Sequence, residues 1–233
     1  MLCCFAFLMT ACEIDNYDGP NASFSGVIRD AQTGEPVGTD IQNGAEIRAF
    51  ELGFASPTAQ VWPIKNTGEF MNSMVFAAHY DFDFSNANFF PFQVKDMEIK
   101  PGDNVHDFQV TPYIRIKDAE IKHDQSAGKI VATFWLEAGA PEVLLREIRL
   151  FAFSDMWVGN SVRFELKGDG FHQTFSEGQQ IDDTRYTLTI DLQENKDVFR
   201  YNKNYYFRIG ALANVQGVGT VRHNYAPTQV IPL

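Results

Sequence analysis

The residues best placed to do chemistry lie in Ser154-Asp155-Met156-Trp157-Val158-Gly159-Asn160-Ser161, a polar, glycine-containing link between two apolar stretches. A tryptophan in such a link is either a lid over the end of a β-sandwich or an exposed platform. As a platform, its ring meets the apolar C–H face of a sugar, while Asp155 and Asn160 supply hydrogen bonds to hydroxyl groups. Tyr80, together with the Asn86–Phe90 cluster, is a weaker arrangement of the same kind. Trp62, within an extended stretch before Pro63, is a further candidate, although packing in a core or between domains suits it better. Trp135, amid Ile130–Leu136, is expected in a core.

Other chemistry is poorly provided for. His79, His106, His123, His172 and His223 show no i, i+2 or i, i+4 spacing that would put two on one face, so no shared metal and no cofactor are expected. Asp81-Phe82-Asp83-Phe84-Ser85-Asn86 starts like a calcium loop, but Asn86 stands where glycine is required and Phe92 where the bidentate Glu belongs. Neither Asp96/Glu98 nor Asp182/Asp183 can be promoted to an acid/base pair, because glycoside hydrolysis depends on separation in space. No nucleophile elbow, phosphate loop or dinucleotide fingerprint is present. The chain is therefore expected not to be an enzyme, with a glycoside hydrolase the least favoured class.

All three cysteines fall within the first twelve of 233 residues, which excludes a disulfide framework or a Cys-ligated metal site in the body of the protein. Leu2–Cys12 is a run of eleven mostly apolar residues, too short to span a bilayer, and Glu13–Pro20 turns acidic at once. Met9-Thr10-Ala11-Cys12 resembles a bacterial lipoprotein cleavage box, which implies lipid on the Cys12 thiol and a membrane partner through that lipid. The run contains no Lys or Arg, so the true start of the leader is expected upstream of Met1.

These residues must be positioned by strands, since no long window shows helical periodicity. Short extended stretches are expected at Phe24–Asp30, Ala45–Glu51, Ala59–Lys65, Glu69–Phe76, Ala77–Phe84, Phe92–Lys100 and Val105–Thr111. A second set is expected at Tyr113–Ile121, Ile130–Leu136, Leu144–Phe153, Val162–Lys167, Tyr186–Leu192, Tyr205–Ala213 and Tyr225–Leu233, with a helical turn within Asp191–Lys203. With 21 Phe, 8 Tyr and 3 Trp the chain has ample material for packed cores. The organisation expected is a leader over 1–11, an acidic tether over 12–22, and two all-β domains over 23–112 and 113–233. The net charge of −11 divides as −3 in the tether, −7 in the first domain and −1 in the second, and offers no basic surplus for nucleic acid.

Phe24–Asp30 with Thr33-Gly34-Glu35-Pro36, then Thr67-Gly68-Glu69-Phe70, His79-Tyr80 and Pro101-Gly102-Asp103 with Asp107-Phe108 resemble a carboxypeptidase regulatory-like, transthyretin-like β-sandwich. That family usually reads Gly-x-Tyr where Ala78-His79-Tyr80 stands. Trp135 and Tyr205–Ala211 resemble strand-B and strand-F text of a fibronectin type III or immunoglobulin-like sandwich. With the leader and the Tyr225–Leu233 ending, the chain resembles two-domain Bacteroides-type lipoproteins. The resemblance implies an outer-membrane, cell-surface address beside starch-utilisation-like glycan uptake systems. It implies a polysaccharide ligand, or docking to an outer-membrane transporter or a neighbouring lipoprotein.

Overall fold

The computed structural model describes residues 18–233. Cys12 and the leader lie outside the described residues. Among those described there is no α-helix, and every long element is a strand.

The first unit contains β1 (Ala22–Asp30), β2 (Glu46–Glu51), β3 (Gln60–Pro63), β4 (Glu69–Val75), β5 (His79–Asp83), β6 (Gln93–Glu98), β7 (Gly102–Val105) and β8 (Phe108–Val110). One sheet runs β4–β1–β7, with β8 continuing along β1, and the other runs β3–β2–β5–β6. Between β3 and β4, Gly68 adopts φ 87°, the left-handed conformation that the sequence assigns to glycine in this turn. The pairings of β1 with β7 and β8 are parallel. Aromatic rings fill the space between the sheets: Phe24 stacks on Phe82 at 5.4 Å, and Trp62 and Tyr80 lie 5.6 and 5.9 Å from Phe82.

The second unit contains β9 (Ile114–Asp124), β10 (Lys129–Ala138), β11 (Leu144–Phe153), β12 (His172–Gln180), β13 (Tyr186–Asp191), β14 (Asn204–Asn214), β15 (Asn224–Tyr225) and β16 (Gln229–Pro232). Its sheets are β13–β10–β9 and β12–β11–β14–β15, with β16 also paired to β14. Alternation along β10 buries Ile130, Ala132, Phe134 and Leu136, which meet Ile148, Leu150, Phe207 and Ile209 of the other sheet. Each unit is thus a β-sandwich, and their two cores share no residue.

The structure corrects two expectations here, for Trp135 and for Val162–Lys167, and bears out a third, for Asp191–Lys203. Trp135 alternates outward with Val131 and Thr133, and the Arg185 guanidinium covers its ring at 4.7 Å. Val162–Lys167 is not a strand but part of the long β11–β12 connection, fastened to β11 by the Phe164 N–H donating to the Ala152 carbonyl at 2.8 Å. The strand in that region is instead β12. Asp191–Lys203 contains hydrogen-bonded turns, with Asn195 and Phe199 N–H donating to the Asp191 and Asn195 carbonyls, and links β13 to β14.

Polar groups join the units at three places. Asp30 meets Arg115, and Asn88 donates to the His223 carbonyl while Asn224 donates to the Asn88 carbonyl. The third group surrounds Arg208.

Candidate functional site: the Trp157 loop at the junction

Arg208 is only 3% exposed, on the outer face of β14. It donates to three backbone carbonyls: Ala226 at 3.1 Å in its own unit, and Thr39 and Asn66 of the first unit, each at 3.0 Å. Its guanidinium lies 4.1 Å from the Tyr225 ring centroid. Burial pulls the Arg208 pKa down to about 10, against Tyr225 and Asp40, which favour the cation. The Tyr225 hydroxyl donates to Asp40 at 2.5 Å, and burial followed by the Asp40 charge pushes it well above its ordinary value.

This junction holds the Trp157 loop. The Asn160 N–H donates to the Tyr225 hydroxyl at 3.0 Å, the Ser161 N–H to Asp40 at 3.3 Å, and the Ser161 hydroxyl to the Gln42 carbonyl at 2.6 Å. On the other side, the Asn66 amide donates to the Met156 carbonyl at 3.0 Å. Val158 is fully buried, and Gly159 lies so close to Asp40 that a Cβ there would collide with the carboxylate. The backbone around Trp157 is therefore fixed by both units, while the residue as a whole is 39% exposed. The Asp155 carboxylate accepts the Trp157 N–H at 2.9 Å, and the Asn160 side-chain oxygen accepts from Arg163 at 2.8 Å.

The other aromatic candidates fail on burial. Trp62 is 4% exposed and packed among Phe24, Tyr80 and Phe82. Tyr80 is fully buried, its hydroxyl donating to the Phe76 carbonyl at 3.0 Å. Neither ring can receive a sugar. Trp157, Asp155 and Asn160 remain, on one loop, with Asp155 holding the Trp157 backbone and Asn160 facing Arg163.

Spacing along the chain missed a cluster that the sheet assembles next to this loop. His172 on β12 and His223 just before β15 both turn Nε2 toward Glu147 Oε1 on β11, at 3.3 and 3.6 Å. Burial raises the Glu147 pKa, but contact with His223 and the charges of His223, His172 and Arg149 bring it below its ordinary value. Arg149, two residues along β11, lies 5.6 and 5.3 Å from the Phe151 and Phe171 rings. The only sequence signal for this cluster is two charged residues on one face of an apolar strand. Among the described residues no group of three or more His, Cys, Asp or Glu is placed to hold a metal ion. In the stretch that starts like a calcium loop, Asp81 is occupied by Lys95 and the Asp96 N–H. Asp96 itself meets His79.

A tandem pair of β-sandwiches presenting one junction-held tryptophan is the class that this geometry defines. Residues 22–111 match the family described as protein of unknown function (DUF3823), N-terminal domain. A solved structure from Bacteroides uniformis ATCC 8492, provisionally described as a carbohydrate binding protein, is 57% identical, with a TM-score of 0.88 over 92% of this chain and 100% of that one. The chain thus carries a DUF3823 N-terminal domain over residues 22–111 and is similar over nearly its whole length to that B. uniformis protein. DUF3823 family proteins from Parabacteroides merdae ATCC 43184 and Bacteroides ovatus ATCC 8483 share the fold at 17% and 16% identity, each with a TM-score of 0.71. They cover 92% and 91% of this chain, and 100% and 99% of their own lengths is matched. No curated protein matches.

Proposed function

We propose that the protein is a non-enzymatic glycan-binding lipoprotein of the outer-membrane surface, serving polysaccharide uptake, with the Trp157 loop as its binding platform. The observation that carries this reading is a half-exposed tryptophan on a backbone fixed by both units. A rigid aromatic anchor binds with little entropy left to lose, and the description of the 57% identical B. uniformis protein is in keeping with it. Retardation in native gels containing soluble polysaccharides tests the proposal. One or more polysaccharides should retard the parent, and Trp157→Ala should weaken that binding about tenfold or more, the order of a lost aromatic hot spot. Unchanged retardation of the variant would remove Trp157 from the site.

A docking role is favoured by a different surface. Register sets exposed Met71 of β4 and Val105 of β7 on either side of Ser25, with exposed Met74 nearby on β4. If no polysaccharide retards the protein, contact of this apolar row with a transporter or a neighbouring lipoprotein becomes the better reading.

The membrane attachment proposed rests on Cys12, where the several acyl chains of a lipoprotein would hold firmly. Cells fed an alkyne fatty acid should label the protein, and Cys12→Ala should abolish the label. Labelling that survives the substitution would overturn the anchor.

A further inference from the structure

We propose that Arg149 and Arg163 form an anion subsite beside the Trp157 loop, which selects glycans carrying a carboxylate or sulfate group. This rests on the glycan-binding reading and names its substrate class. Arg149 has no hydrogen-bond or ion-pair partner among the described residues. The Phe151 and Phe171 rings flank its guanidinium and restrict its position without accepting its N–H donors in the plane. Arg163 is tied to the loop: its NH1 donates to both the backbone carbonyl and the side-chain oxygen of Asn160, while its Nε is buried and unpartnered. The two arginines lie along one strand: the Phe164 N–H bond to the Ala152 carbonyl lays the segment that carries Arg163 against β11, which carries Arg149. Burial, then the charge of Arg163, draws the Arg149 pKa down, only partly offset by Glu147 and Glu165.

Protein carboxylates do not complete the site. Glu147 Oε1 is directed at His172 and His223, and the Glu165 side chain is largely exposed and reaches Arg163 NH2 only at 3.5 Å. The imidazole Nε2 atoms of His172 and His223 are buried and face that Glu147 oxygen, so the anion is left to the two arginines. Half-buried donors around two like charges fit an anionic oxygen pair, since a guanidinium fork matches carboxylate or sulfate geometry with two parallel bonds. Recognition has to be local: with a net charge of −11, the long-range field of the protein repels anions rather than collecting them.

Calorimetric titration of the full chain separates the possibilities, using oligogalacturonate, its fully methyl-esterified form, chondroitin sulfate, unsulfated chondroitin and a neutral oligosaccharide of similar length. Arg149→Met keeps an apolar stem between the two rings, and Arg149→Lys keeps a charge without the fork; circular dichroism confirms that both fold. Binding of an acidic glycan should weaken about tenfold or more with Arg149→Met, and less with Arg149→Lys. Preference for oligogalacturonate, lost on esterification, assigns a carboxylate; preference for chondroitin sulfate over unsulfated chondroitin assigns a sulfate. Equal affinity for charged and neutral sugars, with Trp157→Ala still damaging, would overturn the anion subsite and leave the platform standing. Failure to bind any of them, together with no retardation by any polysaccharide, would overturn both.

Discussion

Arg208→Leu is expected to destabilise the protein by about 3 kcal/mol or more, since each buried carbonyl left without a donor costs roughly 1–3 kcal/mol. Three carbonyls lose their donor together, and leucine supplies none. The Thr39 and Asn66 carbonyls belong to the first unit while Arg208 and Ala226 belong to the second, so the loss falls on the contact between sandwiches whose cores are separate. A single unfolding transition requires strong coupling between such units. In urea, followed by tryptophan fluorescence and by circular dichroism, the variant should therefore show two transitions or non-coincident probes. Arg208→Lys should recover little of the loss, because one ammonium group cannot reach three divergent carbonyls as a planar fork does. A Leu variant within about 1 kcal/mol of the parent, the net value of an ordinary hydrogen bond, would show that water replaces the guanidinium at the junction. The same substitution should weaken glycan binding, because Tyr225, which packs against Arg208, and Asp40, to which Tyr225 donates, also hold the Trp157 loop.

The strands were legible wherever one face is buried. Alternation along β10 and β13 is plain in the residues, and the outward position of Trp135 follows from it; the expectation that Trp135 is core rested on its place amid Ile130–Leu136 and on resemblance, and set that alternation aside. β12 escaped because it is a sheet edge of polar composition, His-Gln-Thr-Phe-Ser-Glu-Gly-Gln-Gln, with no residue fully buried. An edge strand of this kind is specified by its neighbour's hydrogen bonds rather than by its own pattern. Conversely, Val162–Lys167 alternates well but forms no ladder. The parallel pairing of β1 with β7 and β8 joins residues about eighty positions apart, and no local signal announces it.

The candidate site divides the same way. Trp157 could be found because a large ring in a polar link is unusual in its own right, and Trp62 and Tyr80 were ambiguous because aromatic residues in short strands serve cores and surfaces alike. What holds the loop was out of reach. Asp40 and Tyr225 are 185 positions apart, and Thr39 and Arg208 are 169 apart. The bond donated by Tyr225 to Asp40, the steric fit of Gly159 and the convergence of His172 and His223 on Glu147 arise only when strands from different parts of the chain are laid side by side.

The second junction contact leads to the other large effect. Arg115 grips Asp30 with two donors, Nε at 2.5 Å and NH2 at 2.8 Å, and its NH1 reaches Glu137 at 3.3 Å. The Asp30 and Arg115 side chains are 6% and 11% exposed. Burial would raise the Asp30 carboxyl, but Arg115 and the Gln32 N–H together hold it below its ordinary value of 3.8. A depressed carboxylate contributes stability that is complete above the unfolded-state value and is lost as pH falls through the folded one, so this pair should matter at neutral pH and fail only in acid. Arg115→Ala strands a buried carboxylate, an expected cost of about 3–5 kcal/mol at pH 7. Without its partner Asp30 is governed by burial, its pKa rises, and the penalty should shrink as the pH is lowered toward 4 and the group takes up a proton. Replacing both residues, Asp30→Leu with Arg115→Met, removes the charge and the need to satisfy it, and should cost far less than the single change. Urea unfolding of the parent and these variants between pH 3 and 7 provides the cycle. An Arg115→Ala penalty that stays constant across that range would mean that Asp30 is solvated by water in the variant, and that the ion pair does not hold the two units together.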